Sequence, residues 1–125
     1  MARILLVDDE DCILRTVALL LESEGHSAVC AANGREAEAM LQSSGFDLLM
    51  TDIRMEPMDG MQLIKVVRAM KPNMPIVVVS AYGSEKTARE AMALGACRYI
   101  KKPFKFDEIV RAVREVTAGS IRPQA

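Results

Sequence analysis

Short apolar runs alternate with amphipathic stretches along the whole chain. Arg3 to Val7, Ser27 to Ala31, Asp47 to Thr51, Ile76 to Val79 and Cys97 to Lys101 are too short for helices, and their apolar positions are largely continuous. Such runs are expected to be strands buried on both faces. Between them apolar residues recur at helical spacing. Ile13, Leu14, Val17, Leu20 and Leu21 make one apolar face; Ala37, Met40 and Leu41 make a second within Gly34 to Leu41. Leu63, Ile64 and Val67 mark a helix from about Met61 to Met70, and Ala88, Ala91 and Met92 mark another behind a Ser84 cap. Ile109, Val110 and Val113 mark the last, from Asp107 to Val116. Gly25 and Gly95 are natural helix stops, and Pro72 and Pro75 break the third helix.

Strand and helix patterns in strict alternation, joined by short loops, predict an α/β fold: a single doubly wound five-stranded parallel sheet with helices on both faces. Crossovers are expected to be right-handed. If the strand order reverses beside the first strand, giving 2-1-3-4-5, then strands one and three are neighbours and the loops at their C-terminal ends form a crevice. The alternative Rossmann order lacks its glycine-rich turn, since VDDE follows the first strand.

At 125 residues the chain suits one domain with one core. The net charge of -1 sets up no field that would recruit nucleic acid or an acidic membrane. No apolar run is long enough to span a bilayer or to serve as a signal peptide. Three widely spaced cysteines, Cys12, Cys30 and Cys97, suggest neither a disulfide framework nor a zinc site, so a reducing cytoplasm is expected. His26 is expected in a turn after Gly25.

The chemistry gathers at the strand ends. The first strand stops in four consecutive acids, Asp8, Asp9, Glu10 and Asp11. Favourable charge at a helix N-terminus accounts for Glu10 and Asp11 and leaves Asp8 and Asp9 to be explained. The third strand delivers Asp52 into a loop punctuated by Pro57, Asp59 and Gly60. Three carboxylates in one crevice repel one another, and a bound cation relieves them; oxygen-only ligands suit Mg²⁺. Ser80 ends the fourth strand and Lys102 follows the fifth, adding a hydroxyl and a compact positive charge suited to phosphate. A carboxylate nucleophile, a metal, a lysine and a hydroxyl together describe phosphoryl transfer onto Asp52.

In that order and spacing, VDDE, the Asp52 loop, SAYG and KKPF resemble the receiver domain of two-component response regulators, over Arg3 to about Thr117. The resemblance implies a flavodoxin-like fold with strand order 2-1-3-4-5 and a receiver over residues 1–117, with 118–125 as a C-terminal tail or linker. It implies that Asp52 is the phosphoacceptor, with Lys102 and Ser80 completing the catalytic set. Asp8, Asp9, Asp52 and the Arg54 backbone carbonyl would bind Mg²⁺. Tyr99 would reorient together with Ser80, and a cis peptide would precede Pro103. Arg54 and Tyr82 would flank the path of hydrolytic water. The implied partner is a sensor histidine kinase or phosphotransfer protein. A phosphorylation-dependent homodimer through the fourth helix, fifth strand and fifth helix is also implied, with no direct nucleic-acid or membrane binding. The only enzymatic activity expected is Mg²⁺-dependent self-phosphorylation and self-dephosphorylation.

One departure from the family pattern is visible. Glu56 stands where receivers commonly have proline, and Pro57 follows. Met55, Met58 and Met61 around this loop are expected to fill gaps in the core. A competing reading is a stand-alone aspartate-nucleophile phosphatase, because Asp9 and Asp11 form a DxD after a strand. That reading leaves Asp52 unexplained. A flavodoxin-like cofactor binder would need a Ser/Thr-rich phosphate loop after the first strand, which is absent.

Overall fold

The computed structural model describes residues 2–55, 58–81 and 85–117. Strands β1 (Arg3–Val7), β2 (Ser27–Ala31), β3 (Leu48–Thr51), β4 (Ile76–Ser80) and β5 (Arg98–Lys101) alternate with five helices. These are α1 (Asp11–Ser23), α2 (Gly34–Ser43), α3 (Gly60–Met70), α4 (Glu85–Ala93) and α5 (Phe106–Thr117). The strands form one sheet in the order β2-β1-β3-β4-β5, every neighbouring pair parallel.

The continuous apolar runs are explained by a sheet covered on both sides, because successive side chains of a strand point to opposite faces. Ile4, Leu6, Leu48, Met50, Val77 and Val79 pack with Leu14, Val17 and Leu21 of α1 and Ile109, Val113 and Val116 of α5. Leu5, Val7, Leu49, Ile76 and Val78 pack on the other side with Leu41 of α2, Leu63, Ile64 and Val67 of α3 and Ala91 of α4. Among the described residues no helix is long and apolar enough to cross a membrane.

Several details differ from the sequence expectations. Helical spacing puts Met92 on the packed side of α4, but it is 46% exposed, because only Ala91 of that helix reaches the core. The third helix begins at Gly60 rather than Met61 because Asp59 and Gln62 close a capping box: Gln62 N–H donates to Asp59 Oδ1 at 2.9 Å, and Asp59 N–H to Gln62 Oε1 at 3.1 Å. His26 is half-buried, its Nδ1 accepting from the Ala2 amide at 3.1 Å. Met55 is buried, and Met58 and Met61 pack against the second core cluster, as gap-filling residues should. Glu56, Pro57 and the Ser84 cap lie outside the described residues.

Register sets the position of the site. Val7 lies opposite both Ala31 and Thr51, and Ser80 lies opposite Lys101. The strands therefore end nearly level, and the next residues stay tied to their neighbours: Asp8 N–H donates to the Ala31 carbonyl, Asp52 N–H to Val7 and Lys102 N–H to Ser80. Asp8, Asp52 and Lys102 are held by backbone hydrogen bonds at one edge of the sheet.

Candidate functional site

The crevice lies over the C-terminal ends of β1 and β3, where the strand order reverses. Asp52 is 6% exposed and Asp8 4% exposed. Asp52 Oδ1 accepts from the Ile53 amide at 2.6 Å, and Asp8 Oδ1 accepts from the Glu10 amide at 2.9 Å. The second oxygens of both turn to Lys102, whose ammonium donates to Asp8 Oδ2 at 2.7 Å and Asp52 Oδ2 at 3.0 Å. The same ammonium reaches Glu10 Oε1 at 3.3 Å. One lysine thus bridges two buried carboxylates and one exposed one.

The electrostatics follow from burial. Desolvation pushes the Asp8 carboxyl above the usual carboxylate range, against the opposing pull of Lys102 and the Glu10 amide. Desolvation alone would lower the Lys102 ammonium, but its hydrogen bonds to Asp8 and Asp52 and the charges of both outweigh it. Lys102 is therefore held protonated well above an ordinary lysine. The cluster carries more buried negative charge than one cation offsets.

Asp8, Asp9, Glu10 and Asp52 can each turn a carboxylate oxygen to within 4.8 Å of the others. An all-oxygen donor set, half buried and half exposed, fits a hard divalent cation that keeps part of its water. Asp9 is exposed, so it faces solvent where such a cation would enter. Glu10 is the member of the cluster that sequence reasoning missed. As the N-cap of α1 it makes no side-chain capping bond, and its carboxylate turns toward Lys102 instead. The signal was the unbroken VDDE run, whose last acid helix-terminus electrostatics had already explained.

Ser80 is fully buried at the end of β4, and Tyr99 on β5 is half-buried, with the Ser80 side chain acting on its phenol. Burial raises the Tyr99 phenol above its ordinary value, with Ser80 opposing and the Asp52 charge adding to the rise. The two residues form one unit beside the crevice. The Lys102–Pro103 peptide bond is cis. Arg54 is exposed and lines an open groove with Asp9, Ile53 and Met55, while Tyr82 lies outside the described residues.

Gly60 fixes the floor of the crevice. Its amide donates to the Ile53 carbonyl at 2.7 Å. A Cβ there would overlap the Asp52 carbonyl oxygen and lie 2.7 Å from Ile53 Cα. Only a residue without a side chain lets α3 begin so close to the Asp52 backbone.

The fold and this set of strand-end residues define a receiver-type α/β domain, and the chain belongs to the response regulator receiver domain family, whose model matches residues 4–114. It is 41% identical over 122 residues to the alginate biosynthesis transcriptional regulatory protein AlgB of Pseudomonas aeruginosa, covering 93% of this chain and 27% of AlgB. It is 38% identical over 119 residues to the transcriptional regulatory protein GlrR of Escherichia coli, covering 95% of this chain and 27% of GlrR. Among solved structures, the response regulator TrrA of Thermotoga maritima in complex with Mg²⁺ and BeF superposes with a TM-score of 0.84 at 33% identity, covering 93% of this chain and 99% of that one. The chain thus spans about a quarter of the length of the curated regulators it matches.

Proposed function

We propose that the chain is a phosphorylation-dependent switch in which Asp52 accepts a phosphoryl group from a phosphohistidine of a sensor histidine kinase or phosphotransfer protein. The observation that carries this reading is the Asp52 carboxylate itself, buried at a strand end, with Lys102 3.0 Å away and Asp8, Asp9 and Glu10 around it. In the transfer one Asp52 oxygen forms a bond to phosphorus as the phosphorus–nitrogen bond breaks, and the bonding pair leaves with the imidazole. Asp8, Asp9, Asp52 and the Arg54 carbonyl would hold Mg²⁺. When bound, that ion offsets charge on the phosphoryl oxygens and orients them for in-line attack. Lys102 exchanges its bond to Asp52 for one to a phosphoryl oxygen, and Ser80 donates its hydroxyl to another. Tyr99, on whose phenol Ser80 acts, then reorients with it, which carries the event to the face of α4, β5 and α5.

A groove beside Lys102, lined by Cys12, Ile13, Thr16, Pro103, Phe104 and Phe106, supports approach of the donor from the α1 side. Lys86, Arg89, Arg98, Asp107, Glu108 and Arg111 give the output face of α4, β5 and α5 mixed charge suited to self-pairing. Arg98 already pairs with Glu115 at 3.0 Å and Arg89 with Glu85 at 3.6 Å, so a homodimer has to compete with these internal pairs. Residues 1–117 are assigned to the receiver and 118–125 to a tail or linker. The phosphatase reading draws no support: Asp11, the second acid of the DxD, is exposed on α1 and pairs with Arg15 at 2.8 Å, away from Lys102.

Incubation with a small phosphodonor and Mg²⁺ should add a single phosphoryl group to the wild type and none to Asp52→Asn, read by intact mass. Addition to Asp52→Asn, or sustained turnover of phosphomonoesters, would sink the switch reading. The phosphorylated form should decay slowly. Water must attack in line, opposite the Asp52 oxygen, and bulky side chains beside that path are proposed to obstruct it. Arg54→Asn combined with Tyr82→Ala should therefore speed loss of the adduct by about tenfold, on the scale of one lost positioning contact. An unchanged or slower decay would show that these side chains do not gate the water.

A further inference from the structure

Helix α4 is the helix least held by burial. Of its residues Glu85–Ala93 only Ala91 is buried, whereas α3 buries Gly60, Leu63, Ile64 and Val67, and α5 buries Ile109, Ala112, Val113 and Val116. Its inner side, at Thr87 and Glu90, faces an open groove shared with Asp9, Arg54 and Met55 of the crevice mouth. The C-terminal end is built differently. Gly95, at φ +102, ends the helix in a Schellman turn, with Ala96 N–H donating to the Ala91 carbonyl at 3.1 Å and Gly95 N–H to the Met92 carbonyl at 3.0 Å.

Onto that turn reaches Arg68 from the last turn of α3. Its Nε donates to the Leu94 carbonyl at 3.2 Å and its Nη2 to the Gly95 carbonyl at 2.9 Å. Its Nη1 donates to the Pro72 carbonyl at 3.1 Å and more weakly to Lys71 at 3.4 Å. All four acceptors are main-chain oxygens just past the ends of two helices, where partial negative charge gathers. A planar fork of donors can bridge both ends at once, and an ammonium cannot. A Cβ on Gly95 would overlap Arg68 Nε, so the glycine both makes the turn and admits the guanidinium.

We propose that Arg68 is a positioning residue that pins the C-terminal end of α4 to α3, so that a change at Ser80 and Tyr99 swings the N-terminal half of α4 about that fixed end. The trigger rests on the proposed phosphorylation of Asp52, while the pin stands on the hydrogen bonds alone. Signal at the crevice becomes rotation rather than translation because the C-terminal end of a loosely buried helix is tied by the Arg68 guanidinium, while Thr87 and Glu90 line the groove shared with the crevice mouth.

Amide hydrogen exchange tests both parts, on wild type, Arg68→Ala, Arg68→Lys and Gly95→Ala, each with and without Mg²⁺ and beryllofluoride as the phosphoryl mimic. Without the mimic, exchange at Leu94, Gly95 and Ala96 should rise about tenfold or more in Arg68→Ala and Gly95→Ala, and less in Arg68→Lys, with α1 and α2 unchanged. With the mimic, wild-type changes should be confined to the Glu85–Arg89 half of α4, and Arg68→Ala should spread them to the C-terminal end. Unchanged exchange at Leu94 to Ala96 in the variants, or equal acceleration in every helix, overturns the pin. A wild-type response as large at the C-terminal end as at the N-terminal half overturns the swing. No mimic-induced change anywhere in wild type overturns the phosphorylation reading, and the swing with it.

Discussion

Gly60→Ala should cost about 3 kcal/mol or more of stability, because the added methyl meets backbone that cannot rotate away. The atoms it would strike are the Asp52 carbonyl oxygen and Ile53 Cα, which belong to the segment presenting Asp52, the proposed phosphoacceptor. Relief requires the start of α3 to move off the loop, breaking the Gly60-to-Ile53 hydrogen bond of 2.7 Å and displacing Asp52 from Lys102. Phosphoryl uptake should fall along with the urea midpoint. Gly45→Ala is the control: Gly45 is exposed, a Cβ added there would meet nothing within 4 Å, and the variant should stay within about 0.5 kcal/mol of wild type. Equal midpoints for the two variants would remove close approach as the reason for glycine at Gly60.

Lys102→Met should destabilise the metal-free protein by about 3 kcal/mol near neutral pH, the usual scale for stripping the partner from buried charge. The lysine side chain is 9% exposed, and its loss leaves Asp8 and Asp52, 6% and 8% exposed at their side chains, facing each other without that cation. The pH dependence has a definite sign. Asp8 already has a raised carboxyl, so the folded state holds its proton more tightly than the unfolded chain, and stability falls as pH rises from the ordinary carboxylate range through the raised value. In wild type Lys102, also raised, contributes stability that is fully present below the ordinary lysine value and lost only as pH climbs through its folded value. Removing it should push Asp8 further up. The deficit of Lys102→Met should therefore be small near about pH 4 and grow toward about pH 8, measured as the difference in denaturation midpoints. A deficit independent of pH would show that Lys102 acts through packing of its stem rather than through charge.

The expected surface change should also fail in that variant. Folding of Lys102→Met can be checked separately by circular dichroism, so loss of the Ser80 and Tyr99 response to phosphorylation is distinguishable from loss of the fold. The direct bonds of Lys102 to Asp8 and Asp52 sharpen the expectation that it acts at the phosphoryl group, because the same ammonium must leave one carboxylate to meet a new anion.

Much of the site is legible in the chain because its parts sit where local patterns change. A continuous apolar run that stops in a carboxylate or a hydroxyl marks a strand end, so Asp8, Asp52 and Ser80 can be placed at one edge of a sheet before any order of strands is known. The helices of the two core layers are equally readable, since Leu14, Val17 and Leu21 or Leu63, Ile64 and Val67 repeat at the helical period and are buried. Periodicity misplaces Met92 for a physical reason: in a helix as charged as α4 one small residue, Ala91, suffices for contact, and the helical period gives a neighbouring methionine the same weight.

Alternation of strand and helix, the buried runs and the identity of the strand-end residues were determined by the sequence alone, because each depends on near neighbours in the chain. The tertiary structure decided which of these groups touch. Lys102 and Asp8 are 94 positions apart, and Arg68 and Gly95 are 27 apart; neither pair carries a local signal, since strand order and helix packing alone bring them within hydrogen-bond reach. Glu10 shows the same division within one turn of chain: its charge suits a helix N-terminus in any sequence, and only the return of β5 beside β4 brings it the ammonium toward which it turns.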